Sequence, residues 1–123
     1  MSESANEGLG VPQNGHWVLC VTFSIKPECA DEFVHIVSQV LDKMRHEENF
    51  VSTTLCRDPA TPGRFFLFET WKSRARFLAE DLARDYRKPY EARLAEIWLG
   101  DRQFQEWEQV RADYSLSAQS GKE

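Results

Sequence analysis

The sequence predicts an α+β fold, with four antiparallel strands in one sheet and helices on one of its faces, in the order β-α-β-β-α-β. Three observations carry this. Residues 63–73, GRFFLFETWKS, form a bounded run of apolar and aromatic residues behind a turn rich in proline and glycine. Residues 17–25 alternate large apolar side chains with smaller ones, the period of a strand. Between them, Phe33, Ile36, Val37, Val40, Leu41 and Met44 recur at helical spacing and make one apolar stripe.

In chain order, residues 17–25 are the first strand. Trp17, Leu19, Val21, Phe23 and Ile25 share one face. The other face, with Val18, Cys20, Thr22 and Ser24, is smaller and mixed but hardly a solvent face. Lys26-Pro27 ends the strand, and Pro27 opens a helix with Glu28, Asp31 and Glu32 at its positive end. That helix is expected to end between residues 46 and 48. Residues 50–57 are the second strand. Two prolines and Gly63 connect it to the third, so the two are expected to pair antiparallel. In the third strand Phe65, Phe66, Leu67 and Phe68 leave no polar side, which predicts burial on both faces. Glu69 and Trp71 share a face, and Thr70 takes the other.

Ser73 then caps a second helix. Ala75, Phe77, Leu78, Leu82 and Tyr86 extend an apolar stripe until Pro89 interrupts it. Either the helix stops near Arg84 and restarts, or it kinks there. Tyr90, Leu94, Ile97 and Trp98 continue the apolar face. Residues 103–110 are the last strand, anchored by Phe104 and Trp107. This order is the split β-α-β, or ferredoxin-like, pattern. Its helices cover one sheet face only, and a symmetric partner is the simplest cover for the other.

Residues 1–15 are poor in large apolar groups and predict a flexible arm, and residues 115–123 a flexible tail. Residues 16–114 make one domain. The formal charge of −5 comes with no long basic run, which argues against nucleic acid as a partner. No apolar run is long enough to span a membrane, and no basic segment followed by an apolar one marks a signal peptide. Cys20, Cys29 and Cys56 have no metal-like spacing and read as reduced thiols of a cytoplasmic protein.

Four features resemble the antibiotic biosynthesis monooxygenase domains. Ile25-Lys26-Pro27-Glu28 followed by Glu32-Phe33 matches the start of the family's first helix. Arg57-Asp58 is followed by Pro59 and by Pro62-Gly63-Arg64-Phe65. Phe68-Glu69-Thr70-Trp71-Lys72-Ser73 is similar to the family's Y-E-x-W motif. Ala75-Arg76-Phe77 with Leu82 and the segment from Tyr86 to Tyr90 completes the match. The resemblance implies a homodimer with its sheets face to face as an α+β barrel, and a pocket between sheet and helices in each subunit. It implies a monooxygenase that oxidises a small aromatic or quinol-type molecule with dioxygen and no cofactor. A non-catalytic ligand-binding dimer, or another enzyme of small carbonyl compounds, is the alternative.

On that resemblance Trp71, Tyr90 and Phe77 are the expected pocket residues. Trp71 reads equally as a core anchor. Tyr86 stands where many relatives have a histidine, and it is the expected hydrogen-bonding catalytic group. Arg57 is a candidate for stabilising an anion. Glu69 reads as a buried carboxylate paired with an arginine, Arg57 or Arg64, rather than as a base. The histidines His16, His35 and His46 all precede the second strand, which argues against the family's haem ligation and for no metal.

Overall fold

The computed structural model describes residues 15–117. Strand β1 (Trp17–Ser24) leads through a 3-10 turn (Pro27–Cys29) into helix α1 (Ala30–Met44). Strands β2 (Phe50–Arg57) and β3 (Arg64–Trp71) follow, then helix α2 (Arg74–Ala79). Two 3-10 turns, Asp81–Ala83 and Asp85–Arg87, precede helix α3 (Lys88–Ile97) and strand β4 (Gln103–Glu108). The sheet order is β2-β3-β1-β4 and every pairing is antiparallel, so the expected ferredoxin-like topology is the observed one.

The register puts Trp17 opposite Trp71, Leu19 opposite Glu69 and Val21 opposite Leu67, all on the face that meets the helices. Helix α1 lays Phe33, Val37, Val40 and Met44 on that face, as its stripe predicts. Phe33 sits between Phe23 and Phe65, with ring centroids 4.8 and 4.7 Å away. Helix α3 adds Tyr90, Leu94 and Ile97. The β2–β3 turn closes on Gly63, whose φ of +89° suits a residue without Cβ. A Cβ there would lie 2.1 Å from the Ile25 carbonyl oxygen.

Three expectations change. The second helical segment stops at Ala79, earlier than its apolar spacing suggests, and restarts at Lys88 with Pro89 in its first turn. The cause is a buried side-chain clamp. Asp81 is fully buried and accepts from Asn49 Nδ2 at 3.0 Å and from Arg84 at 3.1 Å. Turning Asp81 inward breaks the helical path. Second, within a single chain β3 is covered fully on its helix face only: Phe66 is half-buried and Phe68 is 41% exposed. The described helices lie on one side only. The other side is covered in part by residues 109–114, which cross it beside Val18, Cys20 and Thr70. Third, the expected anchors Phe104 and Trp107 are exposed: Trp107 is on the sheet face away from the helices, and Phe104 is on the helix face at the outermost strand. The expected arm, apart from Gly15, and residues 118–123 of the expected tail lie outside the described residues.

Candidate functional site

A cavity of about 310 Å³ opens between the helix-facing side of the sheet and the helices. Its floor is β1 and β3, through Leu19, Val21 and Leu67. Its far wall is α1, through Val37, Val40 and Met44. Phe77, Tyr90, Arg87 and Arg102 close its sides, and Leu78, Leu82 and Phe104 stand at its mouth. That volume is at the low end of the roughly 300–1,000 Å³ usual for ligand sites, enough for one small molecule.

Glu69 is the one carboxylate of the cavity lining that is fully withdrawn from solvent, at 4% exposure. It is there because β3 alternates: two residues before the buried Trp71, the same face must carry it. The Trp71 indole N–H donates to Glu69 Oε1 at 2.9 Å. The second carboxylate oxygen has no hydrogen-bond partner among the described residues. Burial pushes the Glu69 carboxyl above its ordinary pKa. The Trp71 N–H and the positive charges of Arg87 and Arg102 oppose this without cancelling it.

The arginines expected beside Glu69 are elsewhere. Arg57 lies over the Phe65 ring, 5.3 Å from its centroid, in a surface depression with Thr22 and Cys56. Arg64 pairs with Asp58 at 3.3 Å. The cations near Glu69 are Arg87 and Arg102 rather than Arg57 or Arg64. Arg87 is 8% exposed, donates from Nε to the Asp81 carbonyl at 3.0 Å, and lies over Phe77. Arg102 grips Glu91 through two nitrogens, at 3.1 and 2.6 Å. The Arg102 Nε–H is buried with no partner among the described residues. A sequence signal existed for Arg87: with Tyr90, Glu91 and Leu94 it recurs at intervals of three and four, on one helical face. Arg102 sits in a loop and gave none.

Of the expected site residues, Phe77 and Tyr90 line the cavity. Tyr90 is buried, and burial raises its phenol pKa, so it stays a neutral donor. Its hydroxyl makes no hydrogen bond among the described residues. Trp71 is fully buried and does not line the cavity; it packs against Phe77 at 4.8 Å and Phe50 at 5.4 Å. The core-anchor reading of Trp71 is therefore the one the geometry matches, with its N–H orienting Glu69. Tyr86 faces an outer groove with Gln39, His46 and Pro89, and its hydroxyl donates to Glu47 at 2.9 Å. Tyr90 borders that groove as well as the cavity, so Tyr86 lies beside it but outside the cavity, and Arg57 lies apart from both.

Cys20, Cys29 and Cys56 are all unpaired thiols. Among the described residues no cluster of histidine, cysteine or carboxylate side chains could hold a metal ion, and no helix is long and apolar enough to cross a membrane.

Several solved structures share the fold. One, described as an antibiotic biosynthesis monooxygenase, superposes with a TM-score of 0.70 at 22% identity, covering 77% of this chain and 99% of the other. A conserved protein from Methanosarcina mazei Go1 gives 0.70 at 18% identity, covering 79% and 96%. A mutant form of SnoaB, a cofactor-independent oxygenase from Streptomyces nogalater, gives 0.65 at 16% identity, covering 83% and 97%. Identities this low speak for the fold alone. No curated protein matches the chain. The family model for antibiotic biosynthesis monooxygenase matches residues 18–88, more than half of the chain and the whole span from β1 through β3 to the start of α3. The chain belongs to the antibiotic biosynthesis monooxygenase family.

Proposed function

We propose that the protein is a cofactor-independent monooxygenase that oxidises a small aromatic or quinol-type molecule with dioxygen. The observation that carries this is one withdrawn carboxylate, Glu69, in a small apolar cavity beside two arginines and an unpaired phenol. A carboxylate whose pKa is raised toward the working pH is a better general base than an exposed one. In this reading the ionised Glu69 takes a proton from a ring CH2, or its enol tautomer, that is conjugated with the substrate's oxygen-bearing ring carbon, leaving one hydrogen on that carbon. Tyr90 O–H and the Arg102 Nε–H stabilise the resulting oxyanion in a site shielded from water.

The carbanion gives one electron to dioxygen. The substrate radical and superoxide then combine at carbon, forming a C–O bond and, with the proton returned, a hydroperoxide. Loss of water from it leaves a C=O group. One oxygen atom ends in the product and the other in water, so the electrons come from the substrate alone. SnoaB, which shares the fold, is a cofactor-independent oxygenase, and that supports the reading.

The same proposal includes a homodimer and a cytoplasmic location. The sheet face carrying Phe66, Phe68 and Trp107 is the surface offered to a second copy. The free thiols suit a reducing compartment. Oxygen uptake by metal-free protein with a panel of hydroquinones and anthrones tests the activity. Uptake above the uncatalysed rate, lost on heat unfolding, is the expected result. Ligand-induced stabilisation without uptake would make the protein a binding module instead.

A further inference from the structure

The charged side chains that line the cavity are Glu69, Arg87, Glu91, Arg102 and Glu106. Glu91 is matched by Arg102, and Glu106 by Arg74. Arg87 has no such match. Among the described residues, the arginines with no carboxylate oxygen within 4.0 Å are Arg45, Arg57 and Arg87. Arg45 and Arg57 are exposed, where water solvates them. Arg87 is buried in the cavity wall. Its Nε donates to the Asp81 carbonyl, and its Nη2 approaches the Met44 sulfur at 3.7 Å. Its Nη1 has no acceptor among the described residues. The carboxylate of Asp81 is already taken by Asn49 and Arg84. Glu69 is near enough to feel the Arg87 charge but forms no ion pair with it, and burial favours the uncharged form of Glu69.

A guanidinium stays charged in a protein, and a buried charge without a counter-charge is costly. We propose that Arg87 is an anion-binding subsite of the cavity and that the molecule bound there carries a carboxylate. A single unmatched cation calls for a single negative charge. A carboxylate is planar, and the Nη1–Nη2 edge of a guanidinium offers it two parallel N–H bonds. A phosphate would bring more charge against Glu69, Glu91 and Glu106. The inference rests on the cavity being the ligand site of the proposed reaction. There Arg87 is a positioning residue, gripping the ligand's acid group while Tyr90 and Arg102 face the oxygen at the reacting end. A carboxylate on Arg87 also sets a negative charge near Glu69, which strengthens Glu69 as a base.

The test compares 2-naphthoate with 2-naphthamide, which share a ring system; only the first carries the planar anion that a guanidinium fork receives. Isothermal titration calorimetry gives Kd without turnover. The carboxylate is expected to bind the wild-type protein about tenfold tighter than the amide, or better, as for a hydrogen bond between charged groups. Arg87→Gln should remove that preference and leave amide binding in place. Arg45→Gln, which removes an exposed cation, should keep it. A thermal melt checks that each variant folds. Arg87 also holds the Asp81 carbonyl, so Arg87→Lys is the second variant. It keeps the charge without the fork, and the preference should shrink. Equal affinity of the wild type for both probes overturns the subsite and leaves the cavity standing. So does an unchanged preference in Arg87→Gln, or in Arg87→Lys if the glutamine variant unfolds. Failure of both probes to bind overturns the cavity reading as well. A carboxylate preference in a protein that takes up no oxygen supports the subsite and counts against the oxidation alone.

Discussion

Replacing Asn49 by alanine should loosen the segment that closes the cavity. Asn49 is 1% exposed, and its amide bridges two parts of the chain. Its Oδ1 accepts from the Ser73 N–H at 2.9 Å. Its Nδ2 donates to the Ser73 carbonyl and to Asp81 Oδ2, both at 3.0 Å. Alanine removes all three bonds and leaves their partners where water reaches poorly. Two neutral bonds at roughly 1 kcal/mol each and one to a carboxylate at roughly 1.5–2 sum to about 3.5–4 kcal/mol. That is a large share of the roughly 5–15 kcal/mol that holds a domain together. For a domain of this size it lowers Tm by roughly 15 °C. Urea unfolding gives the loss directly, and an Asn49/Asp81 double-mutant cycle isolates the bond between them. Ligand binding should weaken in parallel, because Arg87 hangs from the Asp81 carbonyl and Leu82 follows Asp81 in the chain. A loss below about 1 kcal/mol would refute the view that this clamp sets the break between α2 and α3.

Four further outcomes are expected. Gly63→Ala should cost at least about 2 kcal/mol in urea unfolding, from a positive φ and a Cβ driven against the Ile25 carbonyl. Tyr86→Phe loses one half-buried hydrogen bond to Glu47, so stability should fall by about 1 kcal/mol or less and oxygen uptake should stay within about twofold. Phe68→Asp puts a charge on the open sheet face and should convert a dimer to a monomer by light scattering. Glu69→Gln keeps the acceptor for Trp71 and removes the buried acid. Because burial raises the folded-state pKa, the wild-type protein loses stability as pH climbs from the unfolded value, about 4.3, through the folded one. Urea unfolding across that pH range should therefore show the glutamine variant gaining on the wild type, by about 1.4 kcal/mol for every pH unit that separates the two values.

The fold was legible because most of its elements announced themselves locally. The alternation of β1, the stripe of α1 and the proline-glycine turn before β3 each impose a period or a break that burial then satisfies. Phe50–Arg57 is bounded in the structure as its sequence reads. What was not legible depended on contacts between distant residues. Nothing in the local sequence says that Asn49 and Asp81, far apart in the chain, meet and stop a helix. Phe68 read as buried because apolar residues usually are, yet among the described residues only 109–114 lie over that face. The site divided along the same line. Helical spacing put Phe77 and Tyr90 on apolar faces, and the family resemblance made them pocket residues. Glu69's arginines could not be chosen, since a charge's partner in space is fixed by topology. The two cations beside it come from the segment before α3 and the loop before β4, rather than from the neighbouring strand.

The most direct measurement is oxygen uptake by Glu69→Gln beside the wild-type protein, on whichever hydroquinone or anthrone the wild type oxidises. If Glu69 is the base, the variant should lose roughly 10²–10⁴-fold in kcat with KM little changed. Its folded state is checked by the same thermal melt. Retention of wild-type kcat by a folded Glu69→Gln protein would contradict the assignment of Glu69 as the group that takes the proton.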